Sequence, residues 1–148
     1  MATRKIFRTK DQIRRRKPPT IRPTGEVLSF SGMSALIVDS STWIRTNLSQ
    51  VLRELGMPGT RISFASDFDT ARVLVEKQAY SLVISELSVG RQDAYEFLSH
   101  YRATESGAEG LFIALVGEPT RATLAKVAES SVDSFVLKPF TIDSIKNA

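Results

Sequence analysis

Few residue types in this chain could do chemistry, and most of those that could are charged. There is no cysteine, which excludes disulfides, thiolate metal sites and cysteine nucleophiles together. The single histidine, His100, cannot build a histidine-cluster metal site. Its polar neighbours Ser99 and Arg102 mark it as a surface side chain. Serine and threonine are plentiful, but no histidine base accompanies them in a recognisable triad pattern. Gly107 and Gly110 flank Ala108 and Glu109 and read as a turn, not as a phosphate cradle. What remains is Asp39, Glu86 and Lys138, each at or just after the end of a short apolar run, with Val116 ending another such run. One acid after an apolar run means little. Four positions recurring at matching ends point to a shared rim.

The elements that must position these residues alternate along the chain. Ser34–Asp39 (SALIVD), Arg61–Ala65, Ser81–Leu87 (SLVISEL), Gly110–Val116 (GLFIALV) and Ser134–Leu137 (SFVL) read as strands, the third most clearly. Between them lie helical patterns. Ser41 or Thr42 can cap the first, whose apolar face is Ile44, Leu48, Val51, Leu52 and Leu55, and Gly56 stops it. Further helices are expected over Phe68–Gln78, Asp93–Tyr101, Pro119–Ser130 (proline in its first turn) and Ile142–Ala148, the last capped by Thr141. Apolar strands separated by helices imply a parallel sheet covered on both faces, and right-handed crossovers make it doubly wound. In such a fold the site lies beyond the C-terminal strand ends.

The 148 residues are 42% apolar and 24% charged, which suits one domain with an appendage and excludes global disorder. No apolar run approaches the roughly 20 residues a membrane-spanning helix needs. The charged N-terminus has no apolar signal-peptide core, so a cytoplasmic location is expected. Charge is unevenly spread. Residues 1–30 carry nine Lys/Arg against Asp11 and Glu26, while residues 31–148 carry 11 basic and 14 acidic groups. Pro18, Pro19 and Pro23 break the first segment, and the block Arg14, Arg15, Arg16, Lys17 repels itself. We therefore divide the chain into a basic extension, 1–30, with room for a short helix around 9–16, and a domain, 31–148. The extension is either a solvated linker or a docking arm for an acidic protein face, nucleic acid or anionic lipid. No aromatic interleaving or base-reading motif supports nucleic acid.

The motifs VDSS (38–41), LVISEL (82–87), FIALVGE (112–118) and FVLKPF (135–140), in this order and at these separations, resemble the receiver domains of two-component response regulators of the chemotaxis-regulator type. The resemblance covers roughly 34–148. It implies a flavodoxin-like sheet of strand order 2-1-3-4-5. It also implies a phosphoacceptor ending the third strand, an acid pair after the first that binds magnesium, a hydroxyl residue ending the fourth, and a lysine ending the fifth. In such a site the phosphoryl charge is neutralised by the dication and the lysine.

At most of these positions the sequence departs from the family. Glu86 stands at the acceptor position and is one methylene longer than aspartate. Asp39 matches the first acid, but Ser40 replaces the second. Val116 replaces the hydroxyl residue. Phe135 stands at the aromatic switch position without a phenol. Gly90 and Ala94 replace a usual proline and glycine, while Asp93 matches. Lys138 and Pro139 match cleanly. Misplacing a reacting atom by about 1 Å can cost about 10²-fold in rate, and Mg²⁺ needs close, near-octahedral oxygen ligation.

The expectation is a pseudo-receiver that is not an enzyme, with no cofactor and weak or absent magnesium binding. It would act by protein–protein contact in a two-component or phosphorelay system. Its fourth helix, fifth strand and last, apparently shortened, helix would form the partner face, with the basic extension as a second contact and weak homodimerisation allowed. Glu86 is expected to pair with Lys138, either as a relic, as a locked signalling state, or with residual metal or phosphate binding. Phe135 and Val116 are expected in core packing. Trp43 would cover the rim beside Ser40 or touch a partner. The alternatives are a degenerate but working phospho-receiver and a scaffold subunit docked by its extension.

Overall fold

The computed structural model describes residues 32–89, 92–138 and 145. The basic extension, including Arg14, Arg15, Arg16 and Lys17, lies outside them, as does the expected final helix apart from Ile145, which is helical and buried.

In chain order the elements are β1 (Ala35–Val38), α1 (Thr42–Glu54), β2 (Ile62–Ala65), α2 (Phe68–Lys77), β3 (Leu82–Glu86), the two-residue strands β4 (Ser88–Val89) and β5 (Gln92–Asp93), α3 (Ala94–Ala103), β6 (Leu111–Val116), α4 (Arg121–Glu129) and β7 (Ser134–Leu137). The main sheet has the order β2-β1-β3-β6-β7 and every pair in it is parallel. This is the expected order 2-1-3-4-5 once the β4–β5 hairpin is set aside.

Alternation along the strands divides the core between the two faces of the sheet. Leu36, Val38, Val83, Phe112 and Ala114 pack with Phe68, Ala71 and Val75 of α2, Phe97, Leu98 and Tyr101 of α3, and Val127 of α4. Ala35, Ile37, Ile84, Leu115 and Val136 pack on the other face with Leu48, Val51 and Leu52 of α1 and with Ile145. Helices therefore cover both sides, as the unbroken apolar strands require.

Local signals account for most boundaries. The Ser41, Asp67, Asp93 and Thr120 side chains each accept a backbone N–H of the first turn of α1, α2, α3 and α4 respectively. α1 ends in a Schellman motif. Gly56, at φ 107°, donates to the Arg53 carbonyl, and the buried Met57 donates to the Leu52 carbonyl.

Three details differ from expectation. Arg61 belongs to a 3-10 turn, Gly59–Arg61, and not to β2. Pro119 precedes the N-cap Thr120 and so lies outside α4. The β4–β5 hairpin, with Ser88 opposite Asp93, was not foreseen, because strands of two residues carry no periodicity to read.

Two glycines are set by geometry. Gly56 occupies a left-handed backbone, and a Cβ at Gly107 would overlap the Tyr101 carbonyl oxygen and Thr104 Oγ1. Gly56→Ala should cost about 1 kcal/mol, from backbone strain alone. Gly107→Ala should cost about 2 kcal/mol, because fixed backbone must move. Urea unfolding of both variants checks the ranking.

Candidate functional site

The parallel register brings the C-terminal ends of β1, β3, β6 and β7 to one rim. Asp39 follows β1, Glu86 ends β3, Val116 ends β6, and Lys138 follows β7. The expected convergence of residues 39, 86 and 138 is present.

Asp39 is almost fully buried, 1% exposed, and both carboxylate oxygens are engaged. Oδ1 accepts the Ser41 N–H at 2.9 Å, which shapes the entry into α1. Oδ2 accepts from Lys138 Nζ at 2.9 Å. The Asp39 backbone carbonyl in turn accepts from Arg45 Nη1 at 2.6 Å. Glu86, 7% exposed, accepts from the Ser40 N–H and hydroxyl at 3.3–3.4 Å. Its Oε1 lies 4.0 Å from Lys138 Nζ.

The expected Glu86–Lys138 pairing is thus only the outer contact. The lysine's close partner is Asp39. The physical reason is orientation: Asp39 Oδ2 is aimed at the ammonium, whereas the Glu86 carboxylate is turned toward Ser40.

Two carboxylates facing one ammonium leave an excess negative charge. Burial pushes the Glu86 carboxyl above its ordinary value of 4.5, and the neighbouring Asp39 charge pushes the same way, against the Ser40 hydrogen bonds and the Lys138 charge.

Val116 is buried as expected, at 1% exposure, and its carbonyl accepts the Lys138 N–H at 2.9 Å. Phe135 is not in the core: it is 41% exposed on the edge strand β7. Alternation sends Val136 inward on the α1 face. Phe135 and Leu137 therefore lie on the opposite face, where the only buried residue α4 supplies is Val127. Trp43, on the first turn of α1, is 66% exposed. Pro139 lies outside the described residues. A shallow groove between α1 and β2, lined by Ser49, Gln50, Arg53, Glu54 and Phe64, includes none of the rim residues.

Sequence reasoning missed Arg102. Read as a polar neighbour of a surface histidine, it is 1% exposed and ion-paired to Asp133 at 2.9 Å. Its position was legible: Ala94, Phe97, Leu98, Tyr101 and Arg102 fall at the spacing of one buried helical face.

The chain is thus a doubly wound parallel α/β module with two acids and a lysine at its carboxyl rim. The family model described as the response regulator receiver domain matches residues 35–148, and the chain belongs to that family. It is similar to a probable chemotaxis protein CheY of Rhizobium etli, 30% identical over 116 residues, or 78% of this chain and 88% of that one. It is also similar to chemotaxis protein CheY-3 of Vibrio cholerae, 26% identical over 121 residues, or 82% of this chain and 92% of that one.

Among solved structures, chemotaxis protein CheY4 of Vibrio cholerae superimposes with a TM-score of 0.69 at 20% identity, covering 78% of this chain and 95% of that one. The receiver domain of a sensor histidine kinase from Pseudomonas aeruginosa, which holds a magnesium ion in its active-site cleft, gives 0.68 at 22% identity, covering 78% and 93%. Both bear on the fold alone.

Two outcomes follow from the charge arrangement. Because the folded pKa of Glu86 lies above its unfolded value, ionising it weighs against folding. The stability difference between the native protein and Glu86→Gln should therefore fall as pH rises from 4.5 through the elevated folded pKa, then level off. Denaturant unfolding across pH checks the sign. Lys138→Met should cost about 2 kcal/mol at neutral pH, below the usual 3–5 for a broken buried pair because the lysine is partly exposed.

Proposed function

We propose that this receiver of a two-component system signals without being phosphorylated, through protein contacts set by a pocket that is already internally paired. The observation that carries the reading is the 2.9 Å contact between Lys138 and Asp39, made while the second Asp39 oxygen is held by the Ser41 N–H. The lysine that would meet an incoming phosphoryl group is occupied, and so is the carboxylate that would meet a metal.

The residues present do not fit a magnesium ion. Ser40 stands where the family has a second acid, and both Asp39 oxygens are engaged. Among the described residues, no group of three or more acids or histidines could hold a metal. Glu86, read as the substitute for the acceptor aspartate, has its carboxylate drawn to Ser40. Val116 supplies no hydroxyl to a phosphoryl oxygen. Each departure removes a different part of the phosphotransfer machinery, so the domain is read as a binding module and not as an enzyme.

The partner surface is the face of α4 and β7, joined by the final helix expected from the sequence, with the basic extension as a second contact. Phe135 and Leu137, both exposed on β7, support this face. No helix among the described residues is long and apolar enough to cross a membrane, and we place the protein in the cytoplasm with its signalling partners.

Prolonged incubation with a small phosphodonor and Mg²⁺, followed by intact-mass analysis, should leave the mass unchanged. A stoichiometric phosphoryl adduct on Glu86 would overturn the proposal. Trp43 is the only tryptophan and sits beside the rim, so Mg²⁺ titration can be followed by its fluorescence. The native protein should not respond at millimolar metal, and the triple variant Ser40→Asp, Glu86→Asp, Val116→Thr should.

A further inference from the structure

The pocket lysine is carried by a short edge strand with one buried side chain. β7 has four residues and, among the described residues, lies at the edge of the sheet and pairs only with β6. Of those four, only Val136 is buried, while Phe135 and Leu137 are exposed. A strand with so little buried pattern specifies its own register weakly. A slip of two residues keeps the same side chains on the same faces, yet moves Lys138 by roughly 6.6 Å at the parallel-strand rise. That is enough to abolish its contact with Asp39.

Something else must fix the register, and the entry to β7 is heavily tied down. Asp133, the residue before the strand, brackets Phe112 of β6. Its N–H donates to the Phe112 carbonyl at 2.9 Å, and its Oδ2 accepts the Phe112 N–H at 2.8 Å. The same Oδ2 accepts from Arg102 Nη2 at 2.9 Å. The Arg102 guanidinium is buried and also donates to the carbonyls of Gly107 and Ser131 at 2.9 and 2.7 Å, and to that of Gly110. It therefore anchors Asp133 to α3, to the loop before β6 and to the turn after α4 at once. Beyond this bracket the ladder runs Ile113↔Ser134 to Val116↔Leu137, and the Lys138 N–H to the Val116 carbonyl closes it.

We propose that Arg102 and Asp133 are positioning residues for the pocket: a latch at the opposite end of β7 that sets the register in which Lys138 reaches Asp39. The inference rests on the pocket reading given above only for what Lys138 does on arrival. The register claim stands apart from it.

The test uses Asp133→Ala and Asp133→Asn in the full chain. Arg102 keeps its three carbonyl partners in both, and the amide spectrum checks that each variant is folded. In Asp133→Ala, exchange of the Lys138 amide should rise roughly tenfold or more, as expected for a lost buried acceptor. Nuclear Overhauser contacts between the Lys138 and Asp39 side chains should weaken, while Ile37 in β1 keeps its protection. Asp133→Asn retains an acceptor for the Phe112 N–H and should restore most of the Lys138 protection.

Unchanged Lys138 protection in Asp133→Ala would overturn the latch. So would a uniform rise in exchange across all strands, which would mean a global loss of stability. If the native protein itself shows no Lys138–Asp39 contact, the pocket reading fails, while the Lys138 amide still reports on the latch.

Discussion

The arrangement at the rim depends on one interaction, the ammonium of Lys138 held against the buried carboxylate of Asp39. A parallel sheet lines up the carboxyl ends of its strands, so residues nearly a hundred positions apart meet at its tips. Once the lysine pairs with Asp39, the rest of the pocket adjusts. Glu86 is left with Ser40 and a distant share of the lysine, and its proton affinity rises because it is buried beside an acid already paired elsewhere. The pocket is satisfied by its own residues, in a family whose chemistry needs these groups available to a metal and a phosphoryl donor.

Buried ion pairs are weak evidence for stability, because desolvation offsets much of their attraction. Their value here is in placement. Lys138–Asp39 lies just past the C-terminal end of β7, and Arg102–Asp133 lies just before its N-terminal end. Between them runs a four-residue edge strand with one buried side chain. The hydrophobic effect has no preferred direction and could not hold such a strand in one alignment, whereas charged groups with fixed hydrogen-bond geometry can. The same shortage of buried area leaves Phe135 and Leu137 exposed, and so ties the latched strand to an exposed apolar surface.

The fold was legible because its signals are local and repeated. Five short apolar runs alternate with amphipathic segments, and Ser41 and Gly56 delimit α1 as read. The rim was legible because Asp39, Glu86 and Lys138 recur at equivalent strand ends. Phe135 was misjudged because burial of an edge-strand residue depends on what the neighbouring helix offers, and α4 offers little. Arg102 was misjudged because a charged residue on a buried helical face is improbable until its partners are known. Those partners lie in a loop and a turn that carry no pattern.

By itself, the sequence determined which groups are available: two acids, a serine and a lysine at strand ends, no cysteine, and an apolar valine where the family has a hydroxyl. These are matters of residue type and period, which propensity and spacing encode directly. Only the tertiary structure decided who pairs with whom: the lysine with Asp39 ahead of Glu86, Ser40 with Glu86, and Arg102 with Asp133. Such choices turn on ångström differences in reach and on competition for the same lone pairs, and those distances exist only after the strands have been brought side by side.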